Sequence, residues 1–401
     1  DGISNDEFVI SSVLFIGYQG VLLNWEGFKY PSWLPEIDPE GIEYKDYGRR
    51  ISILDLVMRN LMEKEKLTLT DLSMKYPNLT IMQTAKYTEN VMHPGIVYLS
   101  GLRKREMQIN SLLERRYGSS EDGQQAASVI FADFTTFERS SIPTFEYLLE
   151  PTMSPDVKAT MANLFTDRES CTCKTCEERC HCNFFSEDDG DNTANPEDAV
   201  NIYECGDACK CAWKGASKCA HRRVQRGRRG TLVVFQHPLK GWTLWTGSAH
   251  AKGAFVCEYA GKGMTEKEAE ETKDKTFHFN MEVKTVSKSK VIESRDIVID
   301  SLDQGNESRY LAHSCEPNLR SKVVHFDIGG RVKRRIAFFA KRDIEIGEEL
   351  TIDYSPDTID DVTAFHRKMK KFGFECRCGS KTCRETQFQL QEANKLDSFK
   401  K

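Results

Sequence analysis

The chain has 401 residues, 39% of them hydrophobic and 29% charged, and a formal net charge of −5. That length suggests two to three domains with room for a proper core, and the negative balance argues against a general polyanion binder. No run of about 18 apolar residues occurs, so no membrane span is expected.

Residues 8–36 read as short strands that carry the aromatic residues Phe8, Trp25, Phe28 and Trp33. Residues 49–65 place Ile51, Leu54, Leu56, Val57, Leu61 and Met62 at helical spacing, and a second helix is expected from about Leu102 to Arg116. The string Ser119-Ser120-Glu121-Asp122-Gly123 breaks that helix. From 129 short strands resume, including Pro143-Thr144-Phe145-Glu146-Tyr147. Residues 231–354 are rich in strands and turns, with Gly241, Gly253, Gly261, Gly305 and Gly347 as punctuation. The chain starts at Asp1, as a fragment of a longer protein would.

Fourteen cysteines interrupt this pattern. Nine of them are Cys171, Cys173, Cys176, Cys180, Cys182, Cys205, Cys209, Cys211 and Cys219. Cys376, Cys378 and Cys383 lie near the end, Cys315 sits in Ala312-His313-Ser314-Cys315, and Cys257 lies alone in a strand-like run. Disulfides suit small secreted domains, and no secretory signal is visible here. Cys-x-Cys pairs are poor disulfide partners for each other but good thiolate chelates. Structural zinc takes four thiolates, so nine cysteines can hold three zincs if three of them each bridge two metals. Arg222, Arg223, Arg226, Arg228 and Arg229 follow and can offset the negative charge of such a cluster. Disulfides or free thiols are the competing reading. Glu187, Asp188, Asp189, Asp191, Glu197 and Asp198 mark a solvated loop inside the cluster.

The later motifs follow in a fixed order: Gly241-Trp242, Glu258-Tyr259-Ala260-Gly261, and Arg309-Tyr310-Leu311-Ala312-His313-Ser314-Cys315-Glu316-Pro317-Asn318. Gly347-Glu348-Glu349-Leu350-Thr351-Ile352-Asp353-Tyr354 and the terminal Cys-x-Cys-x4-Cys complete the series. Together they resemble a SET-domain protein lysine methyltransferase with pre-SET and post-SET zinc motifs. Among these the chain is most similar to the suppressor-of-variegation class of histone H3 methyltransferases. The resemblance covers roughly residues 129–390.

It implies an α+β, mainly β, SET fold of small sheets with a knot-like crossing, a three-zinc pre-SET cluster and one post-SET zinc. The division it implies is 1–70 for a chromodomain-like barrel plus helix and 71–128 for a helical linker. The N-terminal flank of the SET region would span 129–170, the pre-SET cluster 171–225, the SET domain 226–356 and the post-SET 357–390. It further implies S-adenosylmethionine as methyl donor and a lysine as acceptor, in an in-line displacement that excludes water. Tyr354 matches the family's active-site tyrosine, and Tyr259, Phe277 and Ile352 match positions around the lysine channel. Gly241, Trp242, Arg309, Ala312 and His313 match cofactor positions, and Phe388 matches an aromatic lid. Cys315 is expected to join Cys376, Cys378 and Cys383 on the post-SET zinc.

Several positions depart from the family. Ala312 stands where asparagine is usual, Thr243 where glycine is usual, Lys262 where an acid is usual, and Phe277 where tyrosine is usual. Thr243 is expected to crowd the cofactor loop, and Ala312 to lose a hydrogen bond. Ile352 has no hydroxyl to hold a blocking water, which favours di- or trimethylation. At the N-terminus the resemblance is to a chromodomain, with Phe8, Trp25 and Phe28 as a methyl-lysine cage that holds its cation by cation–π attraction. The expected partners are the histone H3 tail and nucleosome, a methyl-lysine peptide at the N-terminal module, and nonspecific DNA through the arginines at 222–229. The expected location is nuclear chromatin. A catalytically impaired scaffold or reader is the alternative, favoured by Ala312, Thr243 and Lys262.

Overall fold

The computed structural model describes residues 42–68, 71, 94–118, 126–133, 144–162, 201–211, 219, 221–287, 290–329 and 331–398. The expected cage residues Phe8, Trp25 and Phe28 lie outside them, as do Cys171, Cys173, Cys176, Cys180 and Cys182. The elements begin with α1 (Ile42–Glu65), α2 (Pro94–Tyr117), β1 (Ser128–Ala132), β2 (Glu146–Tyr147), β3 (Thr152–Met153), α3 (Pro155–Ala162) and β4 (Asn201–Tyr203). They continue with β5 (Thr231–His237), β6 (Gly241–Thr246), β7 (Phe255–Tyr259), β8 (Lys262–Thr265), α4 (Glu266–Glu271), β9 (His278–Ser287), β10 (Lys290–Asp300) and β11 (Gln304–Gly305). A 3-10 turn (Glu307–Tyr310), β12 (Ala312–His313), β13 (Leu319–Ile328), β14 (Arg331–Ala340), β15 (Thr351–Ile352), α5 (Val362–Lys371) and α6 (Arg384–Ser398) complete the order.

The described residues form several small sheets, of two to four strands each. The orders are β1-β5-β6, β3-β8-β10-β9 and β4-β13-β14-β7, with the pairs β11-β2 and β12-β15. One continuous core joins them: Phe131, Val234, Leu244, Val256, Ile299, Phe338, Leu350 and Ile352 share a single cluster. Strand β5 reads Thr-Leu-Val-Val-Phe-Gln-His and is buried on both faces, which its β-branched and aromatic run requires.

Helices cover one edge and one face of β1-β5-β6, and the segment before β15 runs along the other edge, where the Leu350 N–H donates to the Leu244 carbonyl at 2.8 Å. α2 caps the edge at β1: Asn110 Nδ2 donates to the Val129 carbonyl at 3.0 Å, and the Val129 N–H donates to Asn110 Oδ1 at 2.7 Å. The Phe131 N–H donates to Glu106 Oε2 at 3.1 Å, so the edge has no free donors there to pair with another chain. α1 lies on the face: Ile53, Leu54, Val57, Met58 and Leu61 pack on Ile130, Ala132, Val233, Phe235 and Trp245. The helix that the sequence assigns to the N-terminal module is therefore packed against strands of the later half. The two helices also start earlier than their apolar spacing suggests, at Ile42 and Pro94.

Candidate active site

The site forms where two distant segments run side by side. β12 and β15 pair in parallel, with Ala312 opposite Thr351 and His313 opposite Ile352. The Ser314 N–H donates to the Ile352 carbonyl at 2.9 Å, and the Tyr354 N–H donates to His313 Nδ1 at 3.1 Å. Asn318 closes the crossing: its Nδ2 donates to the Glu349 carbonyl at 2.9 Å and its Oδ1 accepts the Thr351 N–H at 2.9 Å. Burial pushes His313 down to about 4, so the ring is neutral. Because Nδ1 accepts, the proton sits on Nε2, 3.4 Å from Cys315 Sγ.

Tyr354 lies just beyond β15, its hydroxyl donating to the Leu311 carbonyl at 2.6 Å. The residue as a whole is 44% exposed, yet desolvation of its hydroxyl raises the pKa above the ordinary tyrosine value. Its ring lies 5.3 Å from His313 and 5.7 Å from Phe374. Tyr259 is buried at the end of β7 and donates to the Phe277 carbonyl at 2.7 Å, and burial raises its pKa as well. Both phenols stay protonated at neutral pH. Ile352 is 7% exposed and belongs to the same core cluster as Tyr259.

A second group gathers around the 3-10 turn. Asn306 caps it by accepting from the Ser308 N–H at 3.2 Å, and its Nδ2 donates to the Glu258 carbonyl at 2.9 Å. That cap fixes Arg309, whose guanidinium carbon lies 4.1 Å from the Phe277 ring centre and 4.5 Å from that of Phe145. Burial lowers the Arg309 pKa, and its buried Nε has no hydrogen-bond partner. Trp242 joins the same wall, 6.4 Å from Tyr310 and 6.4 Å from Phe131. Gly241 before it has φ +75°, with open space where a Cβ would point.

Thr243 does not crowd this wall. Its side chain turns into the interior, where Oγ1 donates to the Phe235 carbonyl at 3.2 Å and accepts the Trp245 indole N–H at 2.9 Å. Ala312 offers only its backbone, through β12. Phe388 stacks on His366 of α5 at 3.9 Å with its ring nearly parallel, not on the expected pocket residues.

Cys315, Cys376, Cys378 and Cys383 converge, with all four sulfurs within 4.8 Å of one another. Sγ of Cys376 lies 3.9 Å from that of Cys315 and 3.7 Å from that of Cys383, too far for a disulfide. A tetrahedral zinc with sulfurs at about 2.3 Å sets neighbouring sulfurs about 3.8 Å apart, so the donor set is compatible with that metal. Cys205, Cys211 and Cys219 form a second group of the same kind. Burial alone would lower the pKa of Arg222, but the sulfurs of Cys211, Cys219 and Cys205 outweigh it and raise it. Of the five arginines expected to face phosphates, Arg222 and Arg228 are buried, the latter on Glu307 at 2.6 Å. They serve the interior instead.

Sequence reasoning missed Phe374, Phe365, Arg384 and Phe145. Phe365 is fully buried 5.4 Å from His313. Arg384 Nη2 donates to Asp353 Oδ1 at 2.6 Å and Nη1 to the Ser355 carbonyl at 2.9 Å, which anchors α6 to the segment after Ile352. Position two before Cys376 and the residue directly after Cys383 were the only signals available for Phe374 and Arg384.

Comparison with known proteins bears on this geometry. Residues 241–355 match the family model described as SET domain. The chain carries a SET domain. The matched span holds β12, β15 and every residue of their crossing. The SET-bearing chain is 32% identical over 230 residues to the histone-lysine N-methyltransferase Su(var)3-9 of Drosophila melanogaster, covering 55% of this chain and 34% of that protein. It is 36% identical over 211 residues to SUV39H1-A of Danio rerio, covering 47% of this chain and 48% of that one. The chain thus spans less than half the length of these curated relatives. Among solved structures, Arabidopsis thaliana SUVH6 in complex with SAM aligns with a TM-score of 0.46 and 25% identity, covering 67% of this chain and 54% of that one.

Proposed function

We propose that this chain is an S-adenosylmethionine-dependent protein lysine methyltransferase acting on the histone H3 tail. The single observation that carries the reading is the β12–β15 crossing, which sets Tyr354 beside His313 and Leu311 inside the SET match. Homologues named as histone-lysine N-methyltransferases support it.

Bound S-adenosylmethionine would supply an electrophilic methyl group. The chain's own residues would position the amine and keep water out. Tyr354 and Tyr259, protonated through desolvation, act as fixed hydrogen-bonding groups rather than bases. A lysine amine desolvated beside a sulfonium loses its proton readily, so little general base is needed. Arg309, with its unpartnered Nε, and the Trp242 wall would hold the cofactor, together with the backbone of Gly241, Ala312 and His313. Phe277 lines the channel against Arg309. Ile352 offers no hydroxyl, so the product is di- or trimethyl-lysine, and the lysine-9 heterochromatin mark is the proposed target. Zinc is the proposed metal in both cysteine groups, and nuclear chromatin the proposed place of action. For residues 1–41 we keep the methyl-lysine cage Phe8, Trp25 and Phe28 as the proposal.

Ala312 favours a second reading, a SET protein with impaired catalysis that acts as a chromatin scaffold or reader. Methyl transfer from labelled S-adenosylmethionine to recombinant histone H3 separates the two. Signal that vanishes in Tyr354→Phe establishes the enzyme, and mass spectrometry of the product reads the methylation state. Absence of transfer together with absence of cofactor binding by calorimetry establishes the scaffold.

A further inference from the structure

α1 approaches the turn before β15 so closely that a side chain would not fit. Gly347 has φ +86°, and a Cβ on it would lie 2.8 Å from the carbonyl carbon and the Cβ of Leu56. A Cβ on Gly247 would lie 3.2 Å from Ile53 Cδ1. Two glycines of the SET half are thus points of contact for the same helix.

The end of α1 closes with charges. Lys64 Nζ bonds Glu349 Oε2, and Lys240 Nζ, from the turn between β5 and β6, meets the same oxygen at 3.0 Å. Glu65 lies 3.2 Å from His237 Nε2 and 3.8 Å from Lys240 Nζ. Glu349 is only 5% exposed, so removing a lysine leaves a buried charge short of a partner.

Glu349 is also the first residue of a short path to the site. Its carbonyl accepts from Asn318, which holds the Thr351 N–H. Thr351 and Ile352 pair with Ala312 and His313, and His313 Nδ1 accepts the Tyr354 N–H. After burial, the charge of Glu349 is the next cause of the raised Tyr354 pKa.

We propose that Glu349, clamped by Lys64 of α1 and by Lys240, is a positioning residue for the segment that carries Ile352 and Tyr354, which makes α1 a working part of the active site. The activity half of this inference rests on the methyltransferase reading; the positioning half does not.

Hydrogen exchange by mass spectrometry on the full chain tests it, comparing Lys64→Met, Lys64→Arg and wild type. Lys64→Met is expected to raise exchange about ten-fold in the segment 349–355 relative to the β13–β14 hairpin, and Lys64→Arg to leave it near wild type. Labelled methyl transfer to histone H3 should show kcat falling about ten-fold in Lys64→Met, with KM for S-adenosylmethionine within about two-fold. Should Lys64→Met fail to fold, Glu349→Gln keeps the shape, removes the charge and carries the same expectation. Exchange gains confined to α1, or equal gains in the Met and Arg variants, overturn the proposal. A wild type without methyl transfer sinks the enzyme reading, and exchange still decides the positioning.

Discussion

Thr243 and Trp242 are neighbours on β6 with opposite roles. Alternation along a strand sends Trp242 to the Tyr310 wall and Thr243 to the interior. The threonine hydroxyl is the partner of a buried indole N–H, so replacing it with glycine should harm the fold without helping the site. Thr243→Gly is expected to lose about 2 kcal/mol in denaturant unfolding, from an unsatisfied indole and a more flexible strand. Its affinity for S-adenosylhomocysteine by calorimetry should stay within about two-fold of wild type. Ala312 is the opposite case. Its side chain makes no polar contact, so Ala312→Asn should tighten cofactor binding by about 1–3 kcal/mol if the usual hydrogen bond can form there. Unchanged affinity would mean that backbone contacts already carry recognition at β12.

At the scale of elements, what the sequence revealed depended on range. Cys-x-Cys spacing is local chelate geometry, so Cys376 and Cys378 were legible before any fold was known, and they do meet Cys315 and Cys383. The apolar spacing of Leu54, Val57 and Leu61 showed that a helix has a buried face, but not which sheet would cover it. α1 therefore read as part of an N-terminal module and proved to pack on Val233, Phe235 and Trp245. Phe145 and Phe374 were missed for the same reason: the partners that bring them to the site, Arg309 for one and Tyr354 and His313 for the other, lie far along the chain. The clamp on Glu349 gives α1 a pH signature. Burial would raise the pKa of this carboxylate, but Lys64 and Lys240 outweigh it and hold it below its ordinary 4.5. A depressed folded pKa stabilises the fold above 4.5 and ceases to do so as pH falls through the folded value. Urea unfolding should therefore show Glu349→Gln about 3 kcal/mol less stable than wild type near neutral pH. That gap should narrow as pH falls below 4.5, while any loss of metal affects both proteins alike.

For the whole molecule, an early helix and the C-terminal segment grip the two flanks of one short strand. α1 holds Glu349 from one side. From the other, Arg384 holds Asp353, and Phe374 packs on both Tyr354 and His313. The second grip depends on the four-cysteine group, because Cys315 belongs to the SET segment while Cys376, Cys378 and Cys383 belong to the tail. A metal there would join the two covalently, and its loss would free Phe374 and Arg384 without touching the central core of Phe131, Val234 and Phe338. Cys383→Ser should accordingly lower bound zinc by about one equivalent and lower methyl transfer at least about a hundred-fold. The far-ultraviolet spectrum and the hydrogen exchange of β5 and β6, whose Val233, Phe235 and Trp245 lie under α1, should remain native. A variant in which β5 and β6 exchange freely along with the loss of activity would show instead that the tail metal supports the whole fold, and that the pocket is not assembled in two separable steps.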